Sequence, residues 1–229
     1  MALLKATVDI YRYGINHEST NNIVKLIKTC KNVNAKHMDI TPLYCVLFAN
    51  DNGRDMSHCV LTLVRELLSA GADPDIQYRG FHENGTVLTI WIERMLRNRY
   101  KHSEDIFKEL VKVSNVNIKN TWGTGSNLIT HVISLSTHAM SNTTHRPILP
   151  IIKHLLRKGI DMNIKDYHGV TGYEFAKRWY NSYNYACLLP VVQYLDFYKV
   201  MITFMGINQQ KQKQIFPSDL FRKLATFLY

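Results

Sequence analysis

Four stretches of the chain place apolar residues at the spacing of one helix face. They are Ile23, Leu26 and Ile27; Val60, Leu63, Val64, Leu67 and Leu68; Ile106, Phe107, Leu110 and Val111; and Ile148, Ile151, Ile152, Leu155 and Leu156. Recurrence at i, i+3, i+4 and i+7 gathers such side chains into one stripe, which has to be covered by another element. In two stretches a glycine follows at once, Gly71 and Gly159. Glycine enters the left-handed region without a Cβ clash, so these two positions predict helix ends closed by a left-handed cap.

A shorter apolar element, opened by a turn signal, alternates with these helices: DITPLYCVLF from Asp39, NGTVLTIWI from Asn84, GTGSNLITHVI from Gly123 and HGVTGYEFA from His168. Thr41, Thr86, Ser126 and Thr171 stand where a hydroxyl caps a helix. Pro42 follows Thr41 at the first helical position, where its missing N–H costs nothing. The predicted unit is therefore turn, helix, loop, helix, glycine.

The helix ends also share wording. LIKTCKNVNAK at 26–36, LLSAGADPDIQ at 67–77, LVKVSNVNIK at 110–119 and LLRKGIDMNIK at 155–165 are copies of one phrase, and their anchors Asn34, Asp75, Asn117 and Asn163 fall 41, 42 and 46 residues apart. Periods of this size signal stacked supersecondary units. Isolated helices of about 12–15 residues are marginal in water, so the units must cover one another's faces.

T-P-L-Y at 41–44, E-L-L-S-A-G-A-D-P-D at 66–75 and H-L-L-R-K-G-I-D-M-N at 154–163 resemble the ankyrin repeat, with its T-P-L-H and L-L-x-x-G-A-D-x-N. The likeness covers most of residues 20–198 and implies an all-α ankyrin-repeat solenoid of four to five helix-turn-helix units within residues 1–198. The units depart from the family at the histidine of T-P-L-H, where Tyr44, Thr89, Ile129 and Glu174 stand, and Cys30 and Val113 replace two of the glycines. Each unit exceeds the usual period of about 33 residues. The surplus falls between its two helices, near 50–57, 98–103, 137–146 and 181–187. Irregular units of this kind in a chain rich in Asn, Ile, Lys and Tyr resemble those of poxviral ankyrin proteins.

The C-terminal segment, 199–229, ends in KQKQIFPSDLFRKLATFLY. Proline, then Ser218 and Asp219, opens an amphipathic helix in which Leu220, Leu224, Phe227 and Leu228 share one face. Locally this is equally a helix that caps the end of a stack. F-P-S-D-L-F-R-K-L-A-T-F-L is similar to the opening of an F-box, L-P-x-E-[LI]-x-x-x-[IL], and poxviral ankyrin proteins end in such an F-box-like (PRANC) segment. The resemblance implies that residues 215–229 engage the host Skp-type adaptor of a cullin ubiquitin ligase through Phe216, Pro217, Asp219, Leu220, Leu224, Phe227 and Leu228. Four buried apolar side chains give about 6–12 kcal/mol gross, whereas association costs about 4–15 kcal/mol. Tyr194, Phe197, Met201 or Phe204 is therefore expected to extend the contact.

Composition changes this picture little. The 229 residues, 46% hydrophobic and 20% charged, suit one packed domain. The net charge of +10 raises nucleic acid as a partner, but the basic residues are dispersed along amphipathic helices, as in RMLRNRYK at 94–101 and KHLLRK at 153–158. The four cysteines, Cys30, Cys45, Cys59 and Cys187, form no C-x-x-C pair, and Cys45 and Cys59 read as buried structural residues. The sequons at Asn84 and Asn142 carry no weight without a secretory signal, and no stretch approaches the roughly 18 apolar residues of a membrane helix.

Gly123-Thr-Gly125 lacks the third glycine of a phosphate loop, and His17-Glu18 lacks the second histidine of H-E-x-x-H. The chain thus reads as a non-enzyme with no catalytic residue, metal or cofactor and as a monomer, and the resemblance implies residence in the host cytoplasm or nucleus. Trp122 at a turn tip is the strongest candidate to touch an unidentified host target, because a tip aromatic gives contact area at small entropic cost. Tyr78 and Tyr167 are named with it. The resemblance implies a substrate receptor that joins a host protein to the ligase against antiviral defence. Two other functions stay open: a module that blocks a host antiviral or NF-κB signalling protein without the ligase, and a basic protein that binds nucleic acid.

Overall fold

The computed structural model describes residues 1–37, 39–49, 57–79, 84–97, 103–119, 127–138, 148–183 and 188–211. Among these residues ten helices follow in five pairs: α1 (Ala2–Tyr13) with α2 (His17–Thr29), α3 (Pro42–Leu47) with α4 (Ser57–Ser69), α5 (Val87–Arg97) with α6 (Ser103–Val113), α7 (Leu128–His138) with α8 (Leu149–Arg157), and α9 (Gly172–Tyr183) with α10 (Leu189–Lys211). The chain is thus mostly helical, with one small sheet among the described residues. It is the antiparallel hairpin of β1 (Gln77–Arg79) and β2 (Asn84–Thr86), in which Gln77 faces Thr86.

The odd-numbered helices pack on one another in chain order, from α1 to α9. In the second row α2 packs on α4, α4 on α6, and α8 on α10, while each odd helix also packs on its even partner. One continuous apolar cluster fills the space between the rows, from Leu3 through Leu43, Leu67, Ile92, Leu110, Ile133 and Leu155 to Leu195. Each stripe read from the sequence points into it: Leu63, Val64 and Leu67 are fully buried on α4, as are Ile152 and Leu155 on α8. Full burial of one such side chain stabilises by about 1.5–3 kcal/mol.

Helix ends follow the local chemistry. Thr41 accepts the Tyr44 amide (3.4 Å), and Thr86 accepts that of Thr89 (3.3 Å). Thr171 and Glu174 form a reciprocal pair: the Glu174 amide donates to Thr171 Oγ1 (3.2 Å), and the Thr171 amide donates to Glu174 Oε2 (2.9 Å). This capping box satisfies two otherwise orphaned donors. In the fourth pair the cap is Asn127 and not the expected Ser126, which lies outside the described residues. The Thr130 amide donates to Asn127 Oδ1 at 2.9 Å, and Asn127 Nδ2 donates to Ile164 O at 2.5 Å. Asparagine caps as well as serine does, and its longer amide also reaches the next turn. With the cap at 127 the fourth position falls on Thr130 instead of Ile129.

Gly71 (φ 87°) and Gly159 (φ 89°) hold the left-handed caps anticipated for them. The Gly71 amide donates to Leu68 O and that of Ala72 to Leu67 O, and Gly159 and Ile160 repeat this with Leu156 and Leu155. Each is a paired Schellman closure. Where Cys30 replaces glycine, the chain leaves α2 in extended form instead.

Two elements differ from expectation. The first 13 residues, to which the periodicity assigned no role, form the first inner helix, with Leu3, Leu4, Val8 and Ile10 buried. At the other end α10 runs unbroken past residue 198, so the division between 198 and 199 falls inside a helix. It also carries the polar residues Gln209 and Gln210 within its last turn.

Candidate interaction surface

The turns that lead out of the even-numbered helices share one construction. Each carries two Asx residues separated by one other: Asn32 and Asn34, Asp73 and Asp75, Asn115 and Asn117, Asp161 and Asn163. The first residue of each pair folds its own turn, because its side-chain oxygen accepts the amide of the second at 2.8–3.0 Å. In the first three pairs the second reaches across to the next unit. Asn34 Nδ2 donates to Gly71 O (3.0 Å) and its Oδ1 accepts the Asp73 amide (2.8 Å). Asn117 repeats both bonds with Gly159 O (3.2 Å) and the Asp161 amide (2.6 Å). Asp75 has no donor and instead accepts the Asn115 amide on both oxygens (2.9 and 3.0 Å). Partial burial raises its pKa, and repulsion by Asp73 adds to this, while the Asn115 amide and Lys158 act in the opposite sense.

The ladder fixes one unit against the next along the edge where the turns emerge. Gln77 extends it by donating from Nε2 to Lys119 O (3.0 Å). Bridges between His37 and Ile40 and between Lys165 and Thr171 occupy the same place before α3 and α9 as the β1–β2 hairpin does before α5. The periodicity located the anchors; that they bond across units was missed. The signal was present in the sequence as the Asx-x-Asx spacing.

Tyr167 stands at such a tip, 65% exposed, between Asp166 and His168. Asp166 closes the tip, accepting the amides of His168 and Val170 on Oδ1 (both 2.9 Å). Tyr167 is therefore accessible at its tip. Tyr78 is not: it is 2% exposed, and its hydroxyl lies 2.6 Å from Thr41 Oγ1. Its ring meets Tyr44 at 4.7 Å, and Tyr44 in turn meets Phe48 at 4.6 Å. Tyr78 ties the turn before α5 back to α3 of the preceding pair, and desolvation pushes its hydroxyl pKa well above the ordinary value. Trp122 lies outside the described residues, as do Phe216, Pro217, Asp219, Leu220, Leu224, Phe227 and Leu228.

Of the residues expected to extend the tail contact, Tyr194 is buried against the core with Lys153 Nζ 5.0 Å above its ring, which removes it from that role. Phe197 and Met201 are half-buried on α10, and the side chain of Phe204 lies outside the described residues. Tyr173 on α9 donates to Asp196 on α10, with Lys199 Nζ 5.0 Å and Lys177 Nζ 5.7 Å from its ring centre. That bond to Asp196 raises the Tyr173 pKa.

Cys45 and Cys59 are buried on α3 and α4. Burial pushes the Cys45 thiol up to about 11, so it is held as an unreactive thiol. Cys59 Sγ lies 3.6 Å from His17 Nδ1, joining α4 to α2. Trp91 is buried and donates to Ser103 O (3.1 Å). Among the described residues no group of three or more His, Cys, Asp or Glu side chains is placed to hold a metal, and no helix is long and apolar enough to cross a membrane.

No protein-family model matches the chain, and no curated protein matches it.

Proposed function

We propose that the chain is a non-catalytic scaffold of ankyrin type, which holds a host target on its helix-pair body and presents its C-terminal segment to a Skp-type ubiquitin-ligase adaptor. The observation that carries the scaffold reading is the Asx ladder: a two-row stack of helix pairs whose successive turns are bonded by Asn34, Asp75 and Asn117. Such a stack is a rigid spacer with an array of tips, of which Tyr167 is one. The adaptor reading rests on the likeness of 215–229 to an F-box opening. Its support from the fold is indirect: α10 already covers α8 and α9, burying its own Val191, Val192 and Leu195. A second capping helix is then not required.

Ubiquitin transfer would be performed by the recruited ligase, and this chain would supply proximity, with an effective concentration set by the span between target and tail. The test is recovery of the adaptor on full-length protein and on a Leu220→Asp, Leu224→Asp variant of unchanged helicity. Recovery by the first and loss in the second is expected. Equal recovery, or none from either, removes the ligase half and leaves the body as a binding module acting by itself.

A further inference from the structure

The even-numbered row carries a feature that neither the ladder nor the tail uses. Between α4, α6 and α8 lies an open cleft of about 510 Å³. Five fixed cations line it, Arg65 from α4, Lys108 and Lys112 from α6, and Arg157 and Lys158 at the end of α8. Two carboxylates, Asp105 and Glu109, oppose them, an excess of three positive charges.

Glu109 is already engaged: it accepts Arg65 Nε (3.1 Å) and Nη2 (3.0 Å) on one oxygen and Lys112 Nζ (2.9 Å) on the other. Those bonds to Lys112 and Arg65 hold its carboxyl below the ordinary range. The excess of three positive charges persists through this pairing, because one carboxylate is shared between two cations. Lys158 is fixed across the cleft by donating from Nζ to Lys112 O (2.5 Å), which uses one of its three donors. The cations in the last turns of α6 and α8 also complement the helix dipoles. Lys108 lies in the middle of α6, is exposed, and has no such reason to be basic. At the floor Val111 is buried, and the buried Phe107 ring stands edge-on to His154 at 5.8 Å.

We propose that this cleft binds an acidic, extended peptide segment of a partner protein. Lys108 and Lys112 are four residues apart on one helix face, about 6 Å along its axis. Alternate side chains of an extended strand repeat at about 6.5–7 Å, so two carboxylates of one strand face meet both lysines. Val111, which lines the cleft, is its one apolar contact among the described residues for a hydrophobic side chain between the acids. A nucleic-acid backbone would meet the same cations, and competition by an oligonucleotide distinguishes it from the peptide. The inference rests on the charge and shape of these helices and is independent of the ligase reading.

The test uses the full chain and a fluorescein-labelled peptide of about twelve residues, glutamate alternating with serine around one central leucine, read by anisotropy. Saturable binding at low salt that weakens as salt rises is expected, with loss for the peptide carrying glutamine for glutamate. Lys108→Glu is expected to weaken binding about threefold, and Lys108→Glu with Arg157→Glu about tenfold or more. Lys25→Glu with Lys28→Glu changes net charge equally on α2 and is expected to leave affinity within about twofold. No binding by the native chain, equal loss in the α2 variant, or full affinity in Lys108→Glu each overturns the proposal. So does displacement of the peptide by a single-stranded oligonucleotide at lower concentration than by unlabelled peptide, which would assign the cleft to nucleic acid. Lys108→Ala, which places no new charge in the cleft, replaces Lys108→Glu if the latter lowers helicity.

Discussion

Replacing Asn117 by alanine tests whether the ladder holds the units together. The substitution removes the donor to Gly159 O (3.2 Å) and the acceptor of the Asp161 amide (2.6 Å), two bonds from one side chain to the next turn. A neutral hydrogen bond contributes about 0.5–1.5 kcal/mol net. Asn117 is exposed, so water partly re-satisfies both freed groups, and a loss of about 1–2 kcal/mol is expected. For a chain of this length that lowers Tm by about 2–8 °C. Asn163 provides the internal control. It occupies the same place in the fourth turn, after α8, and among the described residues its side chain bonds to no following turn, so Asn163→Ala should stay within about 0.5 kcal/mol. Thermal unfolding followed by circular dichroism gives both shifts, and amide hydrogen exchange gives the local effect: the Asp161 amide should lose protection in Asn117→Ala. Equal shifts for the two variants, or an unchanged Asp161 amide, would refute the cross-unit role.

Two further outcomes follow from the same geometry. Asp75 is the acid in a series otherwise made of asparagine, and its pKa is raised in the folded chain, chiefly by burial. Its protonated form is favoured by folding, so that contribution is complete below the ordinary carboxylate value and is lost as pH rises through the folded value. Asp75→Asn should therefore match the native chain at low pH and exceed it in Tm above the carboxylate range. A melting series across pH that shows a constant gap, or a gap of opposite sign, contradicts this. A Cβ at Gly172 would lie 2.6 Å from Ile129 Cγ2 and 3.2 Å from the Thr130 amide nitrogen. Gly172→Ala should then push α9 off α7 and destabilise by about 1–3 kcal/mol. In urea titrations its cost should shrink when Ile129 is alanine, and additive costs would show that the close approach is not responsible.

The hydrophobic stripes, the two capping glycines and the caps at Thr41, Thr86 and Thr171 were legible because each depends on residues within one turn of one another. The same locality misled at Ser126. Serine and asparagine cap equally well, and the choice of Asn127 is made by the bond it adds to Ile164 in the following unit. Tyr78 and Tyr167 show the same limit. Both are tyrosines beside a turn signal, and nothing nearby in the chain distinguishes them. Tyr78 pairs through β1 with a strand that turns it onto Thr41 and Tyr44, 37 and 34 residues earlier, whereas Tyr167 sits at a tip with its ring in solvent.

Sequence by itself therefore determined what local backbone chemistry determines: helices, their ends and the period at which they recur. Only tertiary structure decided which polar groups face the next unit, since Asn32 and Asn34 are alike in type and differ in which neighbour they reach. It also decided that cations from three separate helices converge on one cleft. Charges far apart in the chain read as dispersed until packing brings α4, α6 and α8 side by side, because electrostatic interaction follows distance in space and not distance along the chain.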